Sequence, residues 1–199
     1  QQTVDAYHQD MGITTDFRSV ENVNPVASRA LAGADHVADP ELPAGDVQAV
    51  VAYLRMLAPP ARGSMTPRRE RGAAHFASAR CVACHVPALQ TGASTIPALA
   101  NRPVELYSDL LLHDLGDALA DFRADGDADG REWRTAPLWG MRLVRRFLDG
   151  DLVLLHDGRA TSVEQAIRLH GGEATAARDA FLALSAEDRA AVADFVESR

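Results

Sequence analysis

Cys81, Cys84 and His85 stand together in the stretch "CVACH", and the chain's 199 residues contain no other cysteine. Three chemistries use two cysteines at this spacing. A redox C-x-x-C pair sits where a strand meets a helix in a βαβ pattern. A zinc half-site needs two further Cys or His ligands at a matching spacing. C-x-x-C-H is the signature of covalent haem attachment. There both sulfurs reach one porphyrin edge as thioethers, and the histidine turns under the ring to bind iron. One helical turn supplies that geometry, because residues three and four apart share a face. No βαβ alternation surrounds this motif, and no second C-x-x-C or H-x₃₋₅-H pattern occurs. The residues therefore predict one haem c, held by Cys81 and Cys84, with His85 as its proximal iron ligand. The thioethers consume both thiols, so no disulfide is expected.

An electron-transfer haem takes His or Met on its other side, whereas an open or water-filled position suits ligand binding or peroxide chemistry. His8 and His36 fall in a weakly patterned region and read as solvated. His75 lies about two turns before Cys81 on the same helix, which keeps it from the opposite face of the ring. That leaves His113, His156, His170 and Met141. His113, within "LLLHDLG", also reads as a structural or propionate-bonding residue, and His156, beside Asp157-Gly158, as a turn histidine. The segment "EWRTAPLWG" supplies Trp133 and Trp139, expected to pack against the ring or to make contacts toward a second redox centre. Arg134 is a candidate partner for a propionate, since a guanidinium matches a carboxylate in a bidentate way. Arg159 is a weaker one. "DGDADG" (125–130) opens like a calcium loop, but position twelve is Ala136 where a bidentate Glu is needed, so it reads as a solvated acidic loop.

The elements that must position these residues are short. "DVQAVVAYLRML" (46–57) reads as an amphipathic helix ended by "APPARG". Thr66-Pro67 starts a second helix that runs to the cysteines. The Gly-, Ser-, Pro- and Asn-rich stretch 91–103 reads as a loop. Residues 105–122 have helical character in their middle, and "LWGMRLVRRFL" a short helix. Thr161 to Glu164 forms a capping box for a helix through His170, stopped by Gly171 and Gly172. "EATAARDAFLAL" and "SAEDRAAVADFVES" add two more, the second with Ser185 as N-cap. No strand pattern or internal repeat stands out. The expected class is all-α: a cytochrome c-like domain of short helices and long loops wrapped around one covalent haem. Residues 1–60 are expected to form an extended lead-in arm with one short helix, and residues 61–199 the mono-haem domain.

Composition bounds the partners. A net charge of −8 and a pI near 5.3 argue against nucleic acid. With 47% hydrophobic and 24% charged residues a packed core is expected. No apolar run approaches the length of a membrane span, and no signal-peptide pattern is visible. Haem c is attached outside the cytoplasm, so the expected location is periplasmic or extracellular, with Gln1 the start of a processed or truncated chain.

The chain resembles the C-terminal haem domain of the di-haem oxidoreductases. This is a thiol-oxidoreductase or peroxidase-like group related to bacterial di-haem cytochrome c peroxidases and MauG-type enzymes. The resemblance runs through "CVACHVPAL", "YSDLLLHDLG", "EWRTAPLWG", "HDGRATSVEQAIRLHGGEA" and "LSAEDRAAVADFVES", in that order. "DMGITTDF" and "RMLAPPARG" are similar to the lead-in to this haem. In peroxidase relatives the segment similar to "HDGRATSVEQAIRLHG" carries the sixth iron ligand at its end, commonly methionine. His170 occupies that place here, so the resemblance implies bis-histidine ligation through His85 and His170, with His113, Met141 or an open site as alternatives. Relatives carry two C-x-x-C-H motifs and this chain has one. The expected function is one-electron transfer with a redox partner protein, a second haem domain or another subunit. The alternative is a peroxidase-like domain working with a haem carried elsewhere.

Overall fold

The computed structural model describes residues 2–21, 36–124 and 127–199. The expected loop around "VNP" therefore lies outside the described residues, as do Asp125 and Gly126 of the acidic loop. The chain packs as two units, Gln1–Ala58 and Pro59–Arg199.

In the first unit α1 (Gln2–Asp5) runs into a single wide turn, Ala6–Asp10. Thr14 and Thr15 are fully buried. The Thr14 N–H donates to Glu41 Oε2 at 2.9 Å, and the Leu42 N–H donates back to the Thr14 carbonyl at 3.1 Å. The Asp16 carboxylate accepts the Ala44 N–H at 2.6 Å, supplying a cap where Pro43 has none for α2 (Ala44–Met56).

The second unit is built on α3 (Pro67–Ser78). Thr66 accepts the Arg69 N–H at 3.3 Å and Pro67 takes the first helical position, as the sequence predicts. Two small antiparallel sheets come next, so the unit is helical with loops and not all-α. In one, β1 (Leu89–Gln90) pairs with β2 (Pro103–Val104), closing the loop between them. In the other, β3 (Leu112–Asp114) pairs with β4 (Glu132–Arg134), with His113 opposite Trp133. Strands of two or three residues are too short to show alternation in sequence. The helical character expected within 105–122 is replaced by β3 and one 3₁₀ turn, Asp117–Leu119. Tyr107 (φ 56°) and Leu110 (φ 63°) adopt left-handed backbone, which no helix can carry through.

The remaining helices are α4 (Met141–Phe147), α5 (Val163–Leu169), α6 (Thr175–Leu182) and α7 (Ala186–Glu197). The capping box of α5 is shifted one residue from the expected place. Ser162, not Thr161, accepts the Gln165 N–H at 3.1 Å, and Gln165 Oε1 accepts the Thr161 N–H at 2.9 Å. Ser185 caps α7 through the Asp188 N–H at 3.1 Å, as expected.

Phe76 of α3, Tyr107, Phe181 of α6 and Val192, Phe195 and Val196 of α7 form the core. Three of these rings pack edge-on or tilted, with Phe76 centroids 6.2 Å from Tyr107 and 5.6 Å from Phe195. α3 and α7 cross closely at Gly72, where a Cβ would lie 2.1 Å from the Ala191 carbonyl oxygen. That contact is with backbone, so relief requires parting the helices. Gly72→Ala is expected to lower unfolding free energy by about 1–3 kcal/mol. This overcomes the roughly 1 kcal/mol that Ala gains over Gly inside a helix. A denaturant midpoint at or above wild type would refute the close crossing.

Candidate functional site

α3 ends at Ser78, and Arg80 then takes a left-handed backbone (φ 67°). For a non-glycine residue this costs about 1–2 kcal/mol. It turns the chain sharply into a 3₁₀ turn, Cys81–Ala83, whose first carbonyl accepts the His85 N–H at 2.9 Å. Both thiols are free and half-buried. Burial pushes the Cys81 thiol up to about 11. Cys84 is also raised, first by burial and then by the nearby carboxylates of Asp109 and Glu173.

His85 comes directly after them. Its Nδ1–H donates to the Tyr107 carbonyl at 3.0 Å, which fixes Nε2 as the lone-pair nitrogen. Its ring centroid lies 6.1 Å from that of Phe76, so the imidazole rests on the aromatic core. Burial is the main cause that lowers its pKa, and a charge on His170 would lower it further. His170 repeats the arrangement. It caps the C-terminus of α5, its Nδ1–H donates to the Ala166 carbonyl at 2.8 Å, and burial lowers its pKa. The structure thus brings two neutral imidazoles within electrostatic reach, each with Nδ1 tied to a carbonyl and Nε2 left with its lone pair.

His113 is different. Its Nδ1 meets Glu173 Oε2 at 3.0 Å and its Nε2 meets Asp109 Oδ2 at 2.9 Å. Bonds to Glu173 and then Asp109 raise its pKa, so it is the imidazolium of the group. With both nitrogens engaged it offers no lone pair to iron. Asp109 donates its backbone N–H to the Cys84 carbonyl at 2.9 Å. The Cys84, Asp109 and His113 ligand atoms all lie within 4.8 Å of one another. Sequence reasoning misses both Asp109 and Glu173. The i, i+4 spacing of Asp109 and His113 is the one available signal, and Glu173 gives none.

The other candidates are more scattered. Trp133 stacks on His156 with ring centroids 3.7 Å apart and planes 11° from parallel. Its Nε1–H is buried with no partner among the described residues. Trp139 is 37% exposed at the entrance to α4. Arg134 donates to the Leu110 carbonyl, and Arg159 pairs with Asp157 and donates to the Ala118 carbonyl. Met141 packs against the core. His75 pairs with Asp188 at 3.2 Å. In the acidic loop, Asp129 pairs with Arg131 at 3.1 Å.

A family model described as "Di-haem oxidoreductase, putative peroxidase" matches residues 2–199. The chain belongs to the di-haem oxidoreductase family. No curated protein and no solved structure matches it. The family is one of haem redox proteins, and this di-haem oxidoreductase carries a single C-x-x-C-H motif. Its donor set fits such a cofactor. Two thiols within one turn and two imidazoles with Nε2 free are the donors that thioether attachment and axial ligation use. The buried, unpaired Trp133 Nε1–H would suit a polar atom of the ligand. Leu110, Leu111 and Leu112, next to Asp109, are 39%, 59% and 42% exposed and leave apolar surface for a large ring to cover.

The raised pKa of His113 has a definite sign. Its bonded, charged form stabilises the fold below the ordinary imidazole range, and that contribution is lost as pH rises through the raised folded value. NMR titration is expected to place the His113 transition above that of a free histidine. Glu173→Gln should bring it down; an unmoved transition would show that Glu173 is not the main cause.

Proposed function

We propose that this chain is a c-type cytochrome module for one-electron transfer, with a single covalent haem ligated by His85 and His170. The observation that carries this reading is the matched pair of half-buried imidazoles, each with Nδ1 donating to a main-chain carbonyl. A second bond of that kind is the usual partner of an iron-ligating histidine, because it fixes tautomer and ring orientation. The haem, when bound, supplies a ferric–ferrous couple. Cys81 and Cys84 Sγ hold it covalently, and Tyr107 and Ala166 orient the two rings. Of the alternatives for the sixth position, His113 is disfavoured by having both nitrogens bonded.

Thioether attachment takes place outside the cytoplasm, so an exported, periplasmic location goes with this reading. Among the described residues no helix is long and apolar enough to cross a membrane. The partner is a redox protein or a second haem domain, which the one-motif chain of a di-haem family calls for.

The family description favours a second reading, a peroxidase-like oxidoreductase in which the sixth position opens. Peroxide needs a free iron position, and two histidines leave none. Spectroscopy separates the two. The carrier reading expects a protein mass increased by one haem, a low-spin bis-histidine spectrum, and a ferrous form slow to bind CO. Rapid CO binding at native pH would favour the enzyme. Cys81→Ala with Cys84→Ala is expected to abolish covalent haem, leaving none after denaturing extraction. His170→Ala is expected to convert the ferric spectrum to high-spin; persistence of the low-spin spectrum would reject His170 as ligand.

A further inference from the structure

We propose that the Asp109–His113–Glu173 bridge is a positioning device that keeps His170 seated on the iron. This rests on the reading of His170 as sixth ligand. α5 is a helix of seven residues, and His170 leaves it with extended backbone (ψ 117°). The helix is held by buried Val163 and Ala166, and Arg178 Nη1 donates to the His170 carbonyl at 3.1 Å, but neither contact holds the chain beyond His170. The loop after His170 is fastened to the opposite strand. Gly172 (φ +52°) lies so close to β3 that a Cβ there would sit 2.1 Å from the Asp114 carbonyl oxygen. One residue later, Glu173 uses both oxygens: Oε1 accepts the Asp114 N–H at 3.0 Å and Oε2 accepts from His113 Nδ1 at 3.0 Å.

The bridge continues to the attachment segment. His113 Nε2 donates to Asp109 Oδ2 at 2.9 Å, and the Asp109 N–H donates to the Cys84 carbonyl at 2.9 Å. The Asp109 carboxylate is itself steadied by the Leu111 N–H at 2.9 Å. A continuous run of hydrogen bonds thus joins the residue before His85 to the loop after His170. One imidazolium with two donors spans the gap between two carboxylates, a role that neutral histidine fills only at one end. The Glu173 side chain is 57% exposed, so the pair adds little to global stability. Its contribution is where it holds the loop. Without it the same loop has more conformations with His170 off the iron, and a competing ligand finds the site open more often.

The test uses the haem-loaded protein and four variants: Glu173→Ala, Glu173→Gln, His113→Ala and His170→Ala. Glu173→Ala and His113→Ala are expected to retain the haem mass but to show a high-spin ferric fraction. Their ferrous forms should bind CO about tenfold faster or more, the size of effect seen when a partner of a metal ligand is removed. Glu173→Gln keeps an acceptor for the Asp114 N–H but loses the carboxylate facing His113, so it should restore only part of the low-spin signal. If His113→Ala fails to fold, the exposed Glu173→Ala decides alone. Wild-type spectra and CO rates in the Glu173→Ala and His113→Ala variants, alongside loss of the low-spin signal in His170→Ala, would overturn the bridge. An unchanged His170→Ala spectrum would instead overturn the ligand assignment beneath it.

Discussion

The bond between His85 Nδ1 and the Tyr107 carbonyl is the constraint on which the rest of the site depends. Tyr107 offers that carbonyl from a left-handed backbone, a conformation costing about 1–2 kcal/mol in a non-glycine residue. The bond returns about 1 kcal/mol net. Stability alone therefore does not account for the arrangement; backbone strain of this kind collects at functional sites. Arg80, just before the first cysteine, carries the same strain. Between them the two residues bend the chain so that Cys81, Cys84 and the His85 ring share one turn while the ring stays on the Phe76–Tyr107–Phe195 cluster. The α3–α7 crossing at Gly72 brings Phe76 and Phe195 together, so the site inherits its rigidity from the tightest contact in the core.

Charge is divided in a way that burial and partners explain. His85 and His170 are half-buried against carbonyls, which bond a neutral N–H well and do little to offset the cost of desolvating a charge. Both therefore remain imidazoles, the form that can ligate a metal. His113 sits between two carboxylates and takes the proton. Three histidines near one another thus hold different protonation states, and the difference assigns them different tasks: two lone-pair donors and one cationic spacer.

Much of this is legible in the sequence, and the failures have physical causes. "CVACH" forces its reading because the chain has no other cysteine and no second ligand set. His170 can be singled out because a capping box and two glycines bracket it. The helices beginning at Pro67 and Ala186 announce themselves through Thr66-Pro67 and Ser185. Residues 105–122 mislead because "DLLLHDL" is apolar at helical spacing, and nothing local announces left-handed Tyr107 and Leu110. The β3–β4 pair escapes because three residues carry no period. Glu173 escapes because its role exists only when β3 lies against the His170 loop, a contact across 60 residues of sequence.

The contrast between one attachment motif and a di-haem family narrows where catalysis could arise. An iron held by two histidines has no position for peroxide, so such a chain moves electrons unless one ligand leaves. The two histidines are not equally free to leave. His85 is fixed by the tight turn at Cys81–Ala83 on one side and by the aromatic core on the other. His170 stands at the end of a seven-residue helix, before two glycines, and its loop is tied down by an exposed glutamate. Under the proposed ligation, opening an iron position in this chain would act on the His170 side. On that reading the proposed carrier and the peroxidase-like alternative differ in how firmly one loop is fastened to a three-residue strand.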